Sequence, residues 1–104
     1  MSQIPEIAPE KAYEELKKQK VILVDIRDPI SFQKSHIPRA IHLSEDNLKE
    51  FIEQTPKHQA IIVCCYHGHS SLGATQFLME RGFEKVWSLS GGFEGWRVRY
   101  PNEI

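Results

Sequence analysis

Both cysteines of this chain stand side by side at the end of an apolar run, and histidines, a glycine and two serines follow at once: IIVCCYHGHSSLGATQF, from Ile61 to Phe77. A thiol beside imidazoles and hydroxyls is suited to nucleophilic or metal chemistry. Gly68 permits a positive φ or a close backbone approach that other residues resist. A tight loop of the kind YHGHS can curl its N–H groups inward into a nest that favours negative charge. A helix opening at about Ser70 or Ser71 would add unpaired N–H groups and the positive end of its dipole. A sulfur seated there is favoured as thiolate, the nucleophilic form. Cys64 continues the apolar run and reads as an inert hydrophobe in a sheet. Cys65 opens the loop and is expected to carry the chemistry. A disulfide between the two is disfavoured, since adjacent cysteines close only a strained ring.

The elements that must position this loop follow from periodicity. Short runs rich in branched residues, at 21–25, 40–43, 60–65 and 85–89, read as strands. Apolarity in the first and third is continuous, which suits strands buried on both faces, as in a parallel sheet. Between them lie helix-period segments. APEKAYEELKKQ has Pro9 at a first helical position and Ala12 and Leu16 one turn apart. DPISFQKSH places Asp28 as a cap and Pro29 just inside. SEDNLKEFIEQT is expected to start at a Ser44 cap, with Leu48, Phe51 and Ile52 on one face. SSLGATQFLMERG puts Ala74, Phe77 and Leu78 together and ends at Gly82, a left-handed cap, and GGFEGWRVRYP forms a terminal helix before Pro101. Alternating strands and helices predict one α/β domain, residues 1–104, with a mostly parallel central sheet and helices on both faces. Ligands of such sheets collect beyond the carboxyl ends of the strands, where Asp25 and Cys65 fall.

The composition narrows the possibilities. The 104 residues carry 13 basic and 14 acidic side chains for a net charge of -1, which argues against a nucleic-acid or anionic-membrane surface. No apolar run approaches the roughly 18–20 residues of a membrane span, and MSQIPEIAPEK lacks the pattern of a secretory signal. Two adjacent cysteines cannot staple a long loop, so a reducing, cytoplasmic setting is expected.

Several segments, in this order and spacing, resemble the single-domain rhodaneses. VILVDIRDPISF resembles the family strand that ends in Asp-x-Arg before a short helix. SHIPRAIHL resembles its Gly-His-Ile-Pro-Gly-Ala signature, and LSGGFEGW its Gly-Gly-x-x-x-Trp closing signature. CYHGHSS is similar to its six-residue active-site loop, Cys-x-x-Gly-x-Arg in many members. Ser35 and Arg39 stand where the family usually has glycines, which is expected to alter a turn and not the chemistry. Ser70 stands where arginine often ends the loop, a serine common in the GlpE-type thiosulfate sulfurtransferases, which the chain therefore resembles more narrowly.

That resemblance implies a rhodanese-type domain with Cys65 as catalytic nucleophile and Tyr66, His67, Gly68, His69, Ser70 and Ser71 as the substrate site. It implies a double displacement in which the outer sulfur of thiosulfate passes to Cys65 as a persulfide, sulfite leaves, and cyanide or a thiol such as thioredoxin or dihydrolipoate accepts the sulfur. No cofactor or metal is implied. With no fixed cation, an oxyanion would rest on backbone N–H groups, the Ser70 and Ser71 hydroxyls, and partly protonated His67 or His69.

Rival readings exist. A sulfur-carrier or docking module would keep the fold and Cys65 but not turn over thiosulfate. Phosphatases and arsenate reductases use Cys-x5-Arg, but here Ser71 holds that arginine's place and offers no bidentate grip on a tetrahedral dianion. Cys64, Cys65, His67 and His69 are spaced poorly for zinc, since adjacent strand residues point to opposite faces. His36 and His42 are expected to hydrogen-bond turns, His58 to be solvated, Asp25 and Arg27 to form a buried pair, and Trp87 and Trp96 to lie in the core.

Overall fold

A computed structural model describes residues 3–104. Its sheet has five strands, β1 Glu6–Ile7, β2 Val21–Asp25, β3 Ile41–His42, β4 Ala60–Cys64 and β5 Val86–Leu89, in the order β1-β5-β4-β2-β3. Every pairing is parallel, so the sheet is wholly rather than mostly parallel. The helices are α1 Pro9–Lys17, α2 Pro29–Lys34, α3 Leu48–Gln54, α4 Ser70–Glu80 and α5 Gly92–Arg99.

Strand alternation sends successive side chains to opposite faces. Leu23, Ile62, Cys64 and Leu89 join Ala12 of α1 and Phe93 and Trp96 of α5 in one core layer. Val24, Ile61, Val63 and Val86 join Leu78 of α4 in the other, with Leu48, Phe51 and Ile52 of α3 packed against it. The helical faces read from the sequence are therefore the faces buried. The chain leaves β2 toward one edge of the sheet and β4 toward the other, so the loops after these neighbouring strands diverge. Their carboxyl ends form the crevice where α/β sheets bind ligands.

Four details depart from the sequence reading. Strand β1 was not expected; two residues are too short to show a period. The backbone nevertheless fixes it, as Ser88 N–H donates to Pro5 O and Ser90 N–H to Ile7 O, both at 2.9 Å. Ser44 does not cap α3. It opens a turn in which its own N–H donates to Asn47 Oδ1 at 2.8 Å, and the helix begins at Leu48. Strand β4 stops at Cys64, which leaves Cys65 in the loop. Trp87 is half-buried rather than part of the core, while Trp96 is fully buried. At the altered motif Arg39 adopts the left-handed conformation itself, at φ 71°, rather than changing the turn.

Burial, and next to it the Asp25 charge, pushes the Cys64 thiol well above its ordinary range. The native protein therefore holds this proton more tightly than the unfolded chain. The resulting stability is complete below the ordinary thiol value, roughly pH 8.5, and is lost progressively as pH rises from there toward the raised folded value. We predict that denaturant midpoints fall above that pH for wild type, and fall less steeply for Cys64→Ala.

Candidate active site

The loop between β4 and α4 wraps around the Cys65 sulfur. Gly68 N–H donates to Sγ at 3.1 Å and Ser71 N–H at 3.2 Å. Ser71 Oγ lies 3.2 Å from the same sulfur; the thiol donates to it, and a thiolate would accept from it. Cys65 is 4% exposed, so these contacts lie away from bulk water, where electrostatic interactions are stronger. Two backbone donors and a hydroxyl around one sulfur form an anion site.

This arrangement needs the loop's carbonyls turned elsewhere, and the first turn of α5 does that. Phe93 N–H donates to Cys65 O at 2.7 Å and Glu94 N–H to Tyr66 O at 3.0 Å. The approach is so close that a Cβ at Gly92 would stand 2.5 Å from Tyr66 C and O and 2.6 Å from Cys65 O, with φ at 61°. Gly68 is constrained in the same way: at φ 91°, a Cβ would meet Gly91 N at 2.9 Å. Glycines at both positions let loop and helix interlock.

Beneath this junction lies a buried ion pair. Arg27 Nη2 meets Asp25 Oδ2 at 2.8 Å and donates to Ser35 O, also at 2.8 Å. Its guanidinium sits 4.0 Å from the Phe93 ring centroid. The pair thus links the end of β2 to the residue after α2 and to α5. Its charge is committed to structure, as the sequence suggested, and does not stand free for a substrate. Tyr66 closes the other side. Its hydroxyl bonds both Asp28 and Ser31, the capping residues of α2. The Tyr66 hydroxyl, with the Ser31 amide and hydroxyl, holds the Asp28 carboxyl well below the usual carboxylate range.

The structure thus gathers the expected site residues but divides their tasks. Gly68 and Ser71 serve the sulfur from the buried side, and the Ser71 hydroxyl does not face solvent, contrary to its expected part in holding an oxyanion. Tyr66 is half-exposed and tied to α2. His67, His69 and Ser70 are exposed, and no hydrogen bond engages their side chains or amides among the described residues. Cys64 points into the α1/α5 layer, where its thiol donates to Cys65 O at 3.5 Å, and neither cysteine is in a disulfide. His36 bonds Phe32 O in α2 at 2.7 Å, and His42, in β3, bonds Arg27 O in the loop after β2 at 2.6 Å, so both rings are engaged with backbone carbonyls. His58 is exposed. Sequence reasoning missed Ser88, whose Oγ lies 2.6 Å from Ser71 Oγ. A serine at a buried strand position, level with Val86 on the same face, was the available signal.

The chain matches the model of the Rhodanese-like domain over residues 8–99 and belongs to that family. It is similar in structure to the reduced Bacillus anthracis CoADR-RHD, with a TM-score of 0.82 at 25% identity over 97% of this chain. It spans only 18% of that longer protein. The human single-domain sulfurtransferase TSTD1 superimposes with a TM-score of 0.81 at 17% identity, covering 91% of this chain and 96% of the human one. A Rhodopseudomonas palustris protein described as a possible tyrosine phosphatase gives 0.78 at 24% identity, covering 92% and 81%. The last two likenesses speak to the fold. No helix among the described residues is long and apolar enough to cross a membrane.

The interlock makes Gly92 the more demanding of the two glycines at the start of α5. Gly91 also has a positive φ, 77°, but a Cβ there would meet only Gly95 Cα at an ordinary 3.6 Å. Gly91→Ala is expected to cost about 1–2 kcal/mol of backbone strain. Gly92→Ala adds a clash with fixed backbone, bringing the loss to roughly 2–5 kcal/mol. It should also slow alkylation of Cys65, where Gly91→Ala leaves the rate near wild type. Urea melts and iodoacetamide kinetics test both.

Proposed function

We propose that the protein is a thiosulfate sulfurtransferase, with Cys65 as the sulfur-carrying nucleophile. The observation that carries this reading is the convergence of the Gly68 and Ser71 amides and the Ser71 hydroxyl on one cysteine sulfur. Such donors stabilise the thiolate that attacks. The thiolate attacks the outer sulfur of thiosulfate, a bond forms between it and Sγ, and the bond to the sulfonate sulfur breaks. The electron pair leaves with sulfite, and Cys65 holds a persulfide. Cyanide then attacks the outer persulfide sulfur and departs as thiocyanate, returning the thiolate. A thiol acceptor such as thioredoxin or dihydrolipoate would take the sulfur by the same displacement. Charge balances at each step, so no cofactor is needed.

The amides of His67, His69 and Ser70, with the Ser70 hydroxyl, are available to the sulfonate oxygens, and protonated His67 or His69 would add charge. The absence of an arginine in the loop favours this acceptor chemistry over phosphate-ester hydrolysis, where a guanidinium fork grips the dianion. A reducing compartment such as the cytoplasm suits a mechanism that needs its thiol free. A sulfur-carrier role, with the persulfide passed to a dedicated protein, is the alternative that shares the same site.

Thiocyanate formation from thiosulfate and cyanide should persist in Cys64→Ser and vanish in Cys65→Ser. Equal turnover in wild type and Cys65→Ser would refute the assignment. Hydrolysis of p-nitrophenyl phosphate without thiocyanate formation would move the protein to the phosphatase reading.

A further inference from the structure

Ser88 is fully buried in a strand between Trp87 and Leu89, where a hydroxyl is costly unless bonded. Its partner among the described residues is Ser71, also fully buried, at 2.6 Å between the two Oγ atoms. With the 3.2 Å contact from Ser71 to Cys65, the three side chains form a linear chain from Sγ through Ser71 Oγ to Ser88 Oγ.

Counting its hydrogens shows what the chain favours. It has two gaps, and each gap holds one hydrogen. With the sulfur ionised there are two: Ser88 donates to Ser71, Ser71 donates to the sulfur, and both are placed. With the sulfur protonated there are three, one more than the chain can place. Thr75, one turn along α4 and fully buried, has no hydrogen-bond partner of its own and does not take it. Hydrogen bonds in series also polarise one another, most strongly when the chain ends on a charge.

We propose that Ser88 is a positioning residue for sulfur transfer: by donating to Ser71 it directs the Ser71 hydroxyl onto Cys65 and holds that sulfur as the attacking anion. The same arrangement receives the thiolate regenerated when the outer sulfur is handed on. The thiol proton passes to bulk water, and no covalent bond of the protein changes. The inference rests on Cys65 being the nucleophile, but its test reads ionisation directly and needs no sulfur transfer.

The test is the pH profile of Cys65 alkylation by iodoacetamide, followed by intact mass, in the full chain. Ser88→Ala should slow alkylation at pH 7 by about three- to tenfold and move the profile to higher pH, since one neutral hydrogen bond is removed. Ser71→Ala should slow it at least as much, and the double variant no further, because Ser88 acts only through Ser71. Ser88→Thr, which keeps a hydroxyl, should retain the wild-type profile. An unmoved profile in folded Ser88→Ala, or effects of the two alanine variants that simply add, would overturn the proposal. Should Ser88→Ala not fold, an unmoved profile in Ser71→Ala overturns it equally. Normal alkylation shifts in a protein inert toward thiosulfate would remove the sulfurtransferase reading and leave the hydroxyl chain standing.

Discussion

A loop that holds an anion must show it N–H groups and hide its carbonyls, and in this protein a neighbouring helix enforces that division. The amides of Phe93 and Glu94 take the carbonyls of Cys65 and Tyr66, while those of Gly68 and Ser71 turn to the Cys65 sulfur. Neither set works alone. Without α5, the carbonyls of Cys65 and Tyr66 would lose their amide donors beside a buried sulfur, which is costly. Without Gly92, α5 could not come close enough. The helix is held by Phe93 and Trp96, both core residues, and by the Arg27 guanidinium against the Phe93 ring. Core packing and site geometry are therefore one problem with one solution.

The same economy explains the adjacent cysteines. At the end of a strand, the two-residue period puts neighbours on opposite faces. Cys64 falls among Leu23, Ile62 and Trp96, where burial keeps it protonated and unreactive. Cys65 falls one residue beyond the strand, between the diverging loops at the centre of the sheet and under the first turn of α4. Two identical side chains receive opposite environments from a single step along the backbone. The Tyr66 tether to Asp28 and Ser31 then joins the loop after β4 to the helix after β2, closing the crevice at its rim.

Much of this was legible in the sequence. Continuous apolar runs marked β2 and β4 with their correct faces, and Asp28 and Gly82 marked helix ends, because such signals are local. The Cys65 loop was legible for the same reason: Gly68 and the helix start at Ser70 lie within a few residues of the sulfur. What escaped depends on contacts distant in sequence. Strand β1 exists only because β5 offers it an edge. The Ser71 hydroxyl was taken for a ligand of substrate because nothing nearby showed that it turns inward to Ser88. The role of Gly92, read only as part of a family signature, became physical once α5 was seen against the loop. Ser44 failed as a cap because its hydroxyl accepts from Asp46 N–H in the turn before the helix.

The central claim is that Cys65, alone of the two thiols, carries sulfur from thiosulfate. Incubating the reduced protein with thiosulfate alone, removing the excess, and mapping any added mass by peptide analysis tests it most directly. The account predicts one added sulfur atom, on the peptide at Cys65, released by cyanide as thiocyanate. Sulfur found on Cys64, or a folded and reduced protein that gains none, would contradict it.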